Sequence, residues 1–317
     1  MPLITGRADV FAVYARAAEN KWVIPCFCSE NLTTTEAILA AAAEHGEAVG
    51  IPDLPVSIAI TNQYAHRTQS AYYTHTRRWD IGLALFRNDL DVLTGAGSPY
   101  HDITTLVHLD HAQHDADSAL FNDGLSRYSS IMYDASSVSF DENIQLTRAF
   151  MERFGDIIVV EGACDEIIDA VGTPGNALTS PEHAERYARE TGVDFMVANL
   201  GTEHRASAAT LRYDDARARE ISAKVGPKIV LHGASSVPAA RIAGLYNDGV
   251  CKVNIWTVLE RDSAPALMTA MKENEERIAG AKPDIGFYTT TWRQSILFHS
   301  MKDIVRRYLS LWYRKAS

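Results

Sequence analysis

At 317 residues the chain exceeds an ordinary domain and has the size of one large barrel. A formal net charge of −10 argues against a nucleic-acid partner, because phosphate backbones require a basic surface, yet it leaves room for one phosphorylated small molecule held by a few local donors. No stretch is apolar and long enough to span a membrane, and the opening Met1-Pro2-Leu3-Ile4-Thr5-Gly6 lacks the apolar core of a secretion signal.

Short apolar runs alternate with longer segments of helical period, the pattern of a parallel sheet built from βα units. The expected strands are Trp22–Cys28, Ala48–Ile51, Thr104–Leu109, Ser129–Tyr133, Ile157–Val160, Asp194–Leu200, Lys228–Leu231 and Val250–Ile255. The Ala-rich stretch Thr34–His45 is expected to be the first helix after a strand. Asp141–Phe154 carries Ile144, Leu146, Phe150 and Met151 on one broad apolar face. Ser180–Thr191 opens on a capping serine, a proline at the first helical position and then Glu182. Tyr213–Val225, Val237–Asp248 and Thr257–Ala279 complete the helices. Eight strands joined by helices predict an α/β fold, a (β/α)8 TIM barrel, as a single domain over residues 1–317. Two features exceed the minimum: a long Asn62–Pro99 segment, and an aromatic and basic tail, Tyr288–Ser317. The tail is expected to be helical from about Phe298 and to pack on the barrel or on another subunit. The four cysteines form no Cys-x-x-Cys pair and read as small residues on buried strands of a cytoplasmic protein.

In a parallel barrel the chemistry sits at the C-terminal ends of the strands. The polar residues follow that rule: His108, Asp110 and His111 after the third strand, Asp134 after the fourth and Glu161 after the fifth. Gly201-Thr202-Glu203-His204 follows the sixth, His232-Gly233-Ala234-Ser235-Ser236 the seventh, and Asn254 closes the eighth. One such histidine is ordinarily structural. Three at three strand ends, with Asp110 beside one, form a plausible zinc site: three imidazoles and an open position for a substrate oxygen or water. His108 shares a side of its strand with Asp110 and is either a partner to it or a packing residue.

These motifs, in this order, resemble the class II fructose-bisphosphate aldolase family, which includes the tagatose-bisphosphate aldolases. The resemblance runs from about Val23 to Thr257. It rests on Val23-Ile24-Pro25-Cys26-Phe27, Val107-His108-Leu109-Asp110-His111, Ser130-Ile131-Met132-Tyr133-Asp134, Gly201-Thr202-Glu203-His204, Val230-Leu231-His232-Gly233 and Lys252-Val253-Asn254-Ile255. It implies that His111, His204 and His232 bind zinc or another divalent metal, with Asp134 and Glu161 as alternative contacts. Asp110 would be the acid/base at the substrate oxygen. Gly201, Gly233, Ser235 and Ser236 would cradle a phosphate, with room for a monovalent cation nearby, and Asn254 and Thr257 would touch the substrate. A homodimer or homotetramer is implied as well. The reaction would pass through an enediolate, which a Lewis acid stabilises. No lysine stands at a strand end suited to the Schiff-base alternative, and Lys252 is assigned a structural or phosphate-side role.

Several positions depart from the family. The phosphate loop reads Gly233-Ala234-Ser235-Ser236, and its added Cβ atoms restrict positive φ. Trp256 stands where a substrate-contacting acid is expected, and Ala163 where a second glutamate is. The loop after the fifth strand offers Glu166 and Asp169 as candidate bases. Cys28 and Glu30 replace substrate-facing asparagines, and Glu30 would repel a phosphate unless a cation intervenes. A retained metal set in a changed pocket points to an aldolase-type lyase or synthase, using a ketose phosphate or dihydroxyacetone-phosphate-type donor with an altered aldehyde partner. That partner could be aromatic, bulky or non-phosphorylated, given Trp256. The alternatives are a metal-dependent epimerase or isomerase, a non-catalytic homologue, and a hydrolase. A hydrolase would place a His-x-His pair where this chain has Cys26-Phe27-Cys28.

Overall fold

The computed structural model describes residues 3–122, 124–166, 178–205 and 212–315. Its strands are β1 (Leu3–Ile4), β2 (Ile24–Cys28), β3 (Pro55–Thr61), β4 (Thr104–Gln113), β5 (Ser130–Asp134), β6 (Val159–Ala163), β7 (Phe195–Val197), β8 (Ile229–Leu231) and β9 (Val250–Ile255). All pairings are parallel, and β9 pairs with β2, so β2 to β9 close into an eight-stranded (β/α)8 barrel. The short β1 pairs with the start of β4.

Alternation along each strand sorts the residues into two environments. On β3, Val56, Ile58 and Ile60 join the large apolar layer beneath the helices, whereas Ala59 packs with Cys26 and Cys28 in a separate small cluster inside the barrel. Small residues at these inward positions leave space for the polar groups of the lumen. Helix Arg7–Glu19 lies at the N-terminal end of the strands: Arg7 makes a two-pronged ion pair with Asp194 and also donates to the Ile158 carbonyl.

One expected strand is wrong. Ala48 and Val49 belong to helix Leu32–Val49, which ends at Gly50 in the left-handed region (φ 77°). The helical period of the Ala-rich stretch continues to that glycine, and the strand is the next apolar run, Pro55–Thr61. The long Asn62–Pro99 segment is therefore mostly an ordinary βα unit with helix Trp79–Leu93, preceded by a loop and the short helix Gln69–Tyr72. Two expected helices are broken. Val237–Asp248 holds only Ala239–Ile242 and a 3-10 turn at Leu245–Asp248, and Thr257–Ala279 is interrupted at Asn274. The C-terminal helix begins at Thr290, not near Phe298, and runs to Trp312. It packs against helices Leu32–Val49 and Thr257–Glu273 of its own barrel. Tyr313 pins it there: its hydroxyl donates to the Pro55 carbonyl at 2.5 Å, and its own carbonyl meets His45 Nε2 at 2.9 Å. Among the described residues no helix is long and apolar enough to cross a membrane.

Candidate metal centre and its pocket

His111, His204 and His232 converge at the mouth of the barrel, with one ligating atom from each lying within 4.8 Å of the others. Their ring centroids are 4.8 to 6.1 Å apart. His111 reaches this position through a bulge. Between Leu109 and Ala112 the β4 register slips against β5, and His111 adopts φ 46°. In a regular strand, neighbours point to opposite faces; here the extra residue lets Asp110 and His111 both line one pocket. His111 Nδ1 lies 2.9 Å from Asp134 Oδ2, an arrangement that fixes the ring and turns Nε2 toward the cluster. Asp134 therefore serves the far side of the ring, and its other oxygen accepts from Ser136.

The donor set suits a divalent metal. Among the described residues, the buried Nε2 atoms of His111 and His232 have no hydrogen-bond partner. Burial, together with the neighbouring His111 and His204, holds His232 well below its ordinary pKa despite Asp110, so the ring stays in the neutral form that ligates. Three imidazoles at this spacing fit zinc with a fourth position open.

Asp110 stands beside the cluster, 5% exposed. Its Oδ1 accepts from Asn254 Nδ2 at 2.9 Å, and its Oδ2 lies 3.5 Å from the Cys28 thiol. Burial pushes this carboxyl up, but His111, His108 and His232 outweigh it and hold it well below the usual carboxylate range. Burial and the Asp110 charge push the Cys28 thiol up, leaving it a neutral donor. One layer deeper, His108 contacts Ser130 Oγ through Nδ1 at 2.8 Å and lies 3.5 Å from Glu161. Glu161 and Lys252, both fully buried, pair across the lumen at 2.7 and 2.9 Å. Glu161 is thus in mid-strand below the mouth, with both oxygens engaged by Lys252, rather than at a metal-contacting strand end. Lys252 is fully buried, with its ammonium held by Glu161.

The surrounding pocket is a partly open hollow around the three histidines and Asp110. Gly233, Ser235, Asn254 and Thr257 line it; Gly201 and Ser236 do not. Ser236 is fully buried and bridges the backbone of Glu203, accepting from its N–H at 2.9 Å and donating to its carbonyl at 3.0 Å. The Gly233–Ser236 turn needs positive φ only at Gly233 (69°), so the Cβ atoms of Ala234 and Ser236 do not strain it. Gly233 itself is required: a Cβ there would meet the Glu203 carbonyl oxygen at 2.8 Å. Glu166 is exposed and lines a different hollow with Asp165, Ser136 and His183. Asp169 lies outside the described residues.

Glu30 does not line the pocket but stands behind its wall. Arg67 donates Nε to Glu30 Oε1 at 3.0 Å and Nη2 to Oε2, while Gln69 (3.1 Å) and the Trp256 indole (2.8 Å) also donate to Oε1. The cation that the anionic Glu30 called for is Arg67. Sequence reasoning missed Arg67 together with Thr61, Tyr64 and His66, which all line the pocket. Tyr64 stacks on His111 with centroids 4.1 Å apart and planes 3° from parallel. The missing signal was the true end of β3: placing that strand at Pro55–Thr61 puts this segment at the barrel mouth. Arg205, directly after His204, was missed as well.

Glu260 adjoins this network. Burial and the Glu30 charge push its carboxyl up to about 7, against the opposing effects of Arg67 and Thr34. A raised folded-state pKa means that its stabilising contribution is full below about 4.5 and is lost as pH rises through about 7. Glu260→Gln is therefore expected to raise stability at pH 8 relative to the parent, by up to roughly 3 kcal/mol, and to leave it little changed at pH 4.5. Chemical denaturation at the two pH values reads this directly; equal effects at both would contradict it.

The family described as fructose-bisphosphate aldolase class-II matches residues 8–313. The chain is 33% identical over 181 residues to a D-tagatose-1,6-bisphosphate aldolase subunit, GatY, of Klebsiella oxytoca, a match covering 55% of this chain and 63% of that protein's length. Among solved structures, fructose-bisphosphate aldolase from Campylobacter jejuni superposes with a TM-score of 0.77 at 17% identity, covering 99% of this chain and 96% of the other. The YdjI aldolase of Escherichia coli K12 gives 0.70 at 20% identity, covering 97% and 98%. At these identities the two structures speak to the barrel fold alone.

Proposed function

Because the chain belongs to the class II fructose-bisphosphate aldolase family, we propose that it is a zinc-dependent aldehyde-lyase joining or cleaving a dihydroxyacetone-phosphate-type donor and an aldehyde other than that of the glycolytic reaction. The observation that carries this reading is the convergence of three histidines with Asp110 in one pocket. His111, His204 and His232 would hold a divalent ion, which would supply Lewis-acid stabilisation of developing negative charge.

The chain's own residues do the rest. Gly233 and Ser235 receive the donor phosphate, with Arg205 on the adjacent loop; among the described residues, the buried Ser235 hydroxyl has no hydrogen-bond partner. In the synthetic direction the donor loses one proton from the carbon next to its ketone. The new bond joins that carbon to the aldehyde carbon, and the aldehyde oxygen gains one proton. In the cleavage direction the ionised Asp110 accepts the ketose hydroxyl proton, and it returns that proton to the aldehyde oxygen in synthesis; Asn254 and Cys28 orient its two oxygens. The name of the Klebsiella oxytoca relative, which specifies a ketose bisphosphate, supports a phosphate on the substrate.

The test is solvent exchange. Zinc-loaded protein in heavy water with dihydroxyacetone phosphate alone should replace one carbon-bound proton of the donor by deuterium, followed by proton NMR. Absence of exchange would sink the aldolase reading. Interconversion of ketose bisphosphates without release of triose phosphate would favour an epimerase instead.

A further inference from the structure

The pocket has two chemically different ends. At one, Gly233 and Ser235 sit against the Glu203–Arg205 segment, since a Cβ on Gly233 would touch the Glu203 backbone. That end holds an arginine and a small-residue turn and suits an anion. The other end is built by β2, β3 and the residues after β9, and is lined by Cys28, Thr61, Tyr64, His66, Arg67 and Trp256.

We propose that this second end is, among the described residues, an aromatic slot formed by Tyr64 and Trp256, with its Arg67 charge neutralised by Glu30, and that it selects an aldehyde bearing an apolar ring and no terminal phosphate. The inference rests on the aldolase reading and adds the class of the electrophile. Both aromatic walls are held by specific contacts. Tyr64 lies flat on His111, and Trp256 packs on Cys26, Cys28 and Ala59 while its indole N–H donates to Glu30. Flat rings fixed in orientation offer stacking surface at little entropic cost. Arg67, a cation on this wall, is committed: two of its nitrogens bind the two oxygens of Glu30, and its guanidinium lies 4.8 Å from the centre of the Tyr72 ring. Glu30 is only 9% exposed and takes further donors from Gln69 and Trp256. A phosphate drawing Arg67 away would leave a buried carboxylate without its counter-charge, which strongly disfavours that movement.

The test compares two aldehydes under identical conditions. Zinc-loaded full-length protein with dihydroxyacetone phosphate is offered benzaldehyde or glyceraldehyde 3-phosphate, and kcat/KM is measured for each. The expected result is a preference for benzaldehyde of about tenfold or more. Glu30→Gln retains an acceptor for Trp256 but releases the Arg67 charge, and is expected to move the ratio about tenfold toward glyceraldehyde 3-phosphate. Adding Arg67→Leu should restore the benzaldehyde preference. A merely structural lesion would depress both aldehydes together and would not be reversed by the second substitution. A wild-type preference for glyceraldehyde 3-phosphate, or an unmoved ratio in Glu30→Gln, overturns the slot while donor exchange keeps the aldolase reading. Failure of donor exchange overturns both.

Discussion

Replacing His232 by alanine is expected to remove stoichiometric zinc from the protein and to lower aldol turnover by roughly a thousandfold or more, because the Lewis acid is asked to supply several kcal/mol of the barrier reduction. His232 is the most constrained of the three imidazoles: it is 1% exposed, and burial with two neighbouring histidines keeps it neutral. Two donors cannot complete a tetrahedral site that retains an open position. Metal analysis after dialysis gives the first readout. Thermal unfolding gives the second, since an ion that binds only the folded chain raises its stability by RT ln(1 + c/Kd), where c is the free ion concentration. Added zinc should raise the melting temperature of the parent and leave that of the variant unmoved. A variant that keeps one equivalent of zinc and near-normal turnover would show that the cluster is not the metal centre.

Asp110→Asn separates proton handling from metal binding. The amide is nearly isosteric and keeps an acceptor for Asn254, so the barrel mouth should keep its shape. Zinc content is expected to stay at the parental level while turnover falls by about 10²–10⁴-fold, the usual worth of a positioned acid/base. Donor exchange in heavy water should fall far less than carbon–carbon bond formation, because Asp110 is assigned to the aldehyde oxygen and not to the donor carbon. Equal losses in both reactions would move Asp110 to the donor side, and loss of zinc would make its role structural. Single-turnover cleavage alongside metal analysis distinguishes these outcomes.

Strand β4 illustrates what a sequence can and cannot show. Val107-His108-Leu109-Asp110-His111 announces its chemistry through residue type, because few other uses explain an acid between two histidines at a strand end. Strict alternation, however, would send His111 to the opposite face from Asp110. The slipped register between Leu109 and Ala112 and the positive φ of His111 bring both side chains into one pocket. A bulge depends on pairing with β5, a partner about twenty residues away, so no local pattern announces it. The misplaced second strand has a related cause. Ala48–Ile51 and Pro55–Thr61 are both short and apolar, and only the continuation of helix Leu32–Val49 to Gly50 decides between them.

Glu30 marks the same boundary from the side of charge. Its identity made it suspect as a repulsive group facing a phosphate. The fold shows it behind the wall, tied to Arg67, Gln69 and Trp256, which come from two other parts of the chain. By itself the sequence determined the barrel class, the order of its chemical residues and the three histidines, because period and residue type are local properties carried by each segment. Tertiary structure alone decided which polar groups share the lumen and which lie outside it, that Glu161 is consumed by Lys252 and that Tyr64 covers His111. Those outcomes depend on distances between segments far apart in the chain, and such distances exist only once the barrel closes.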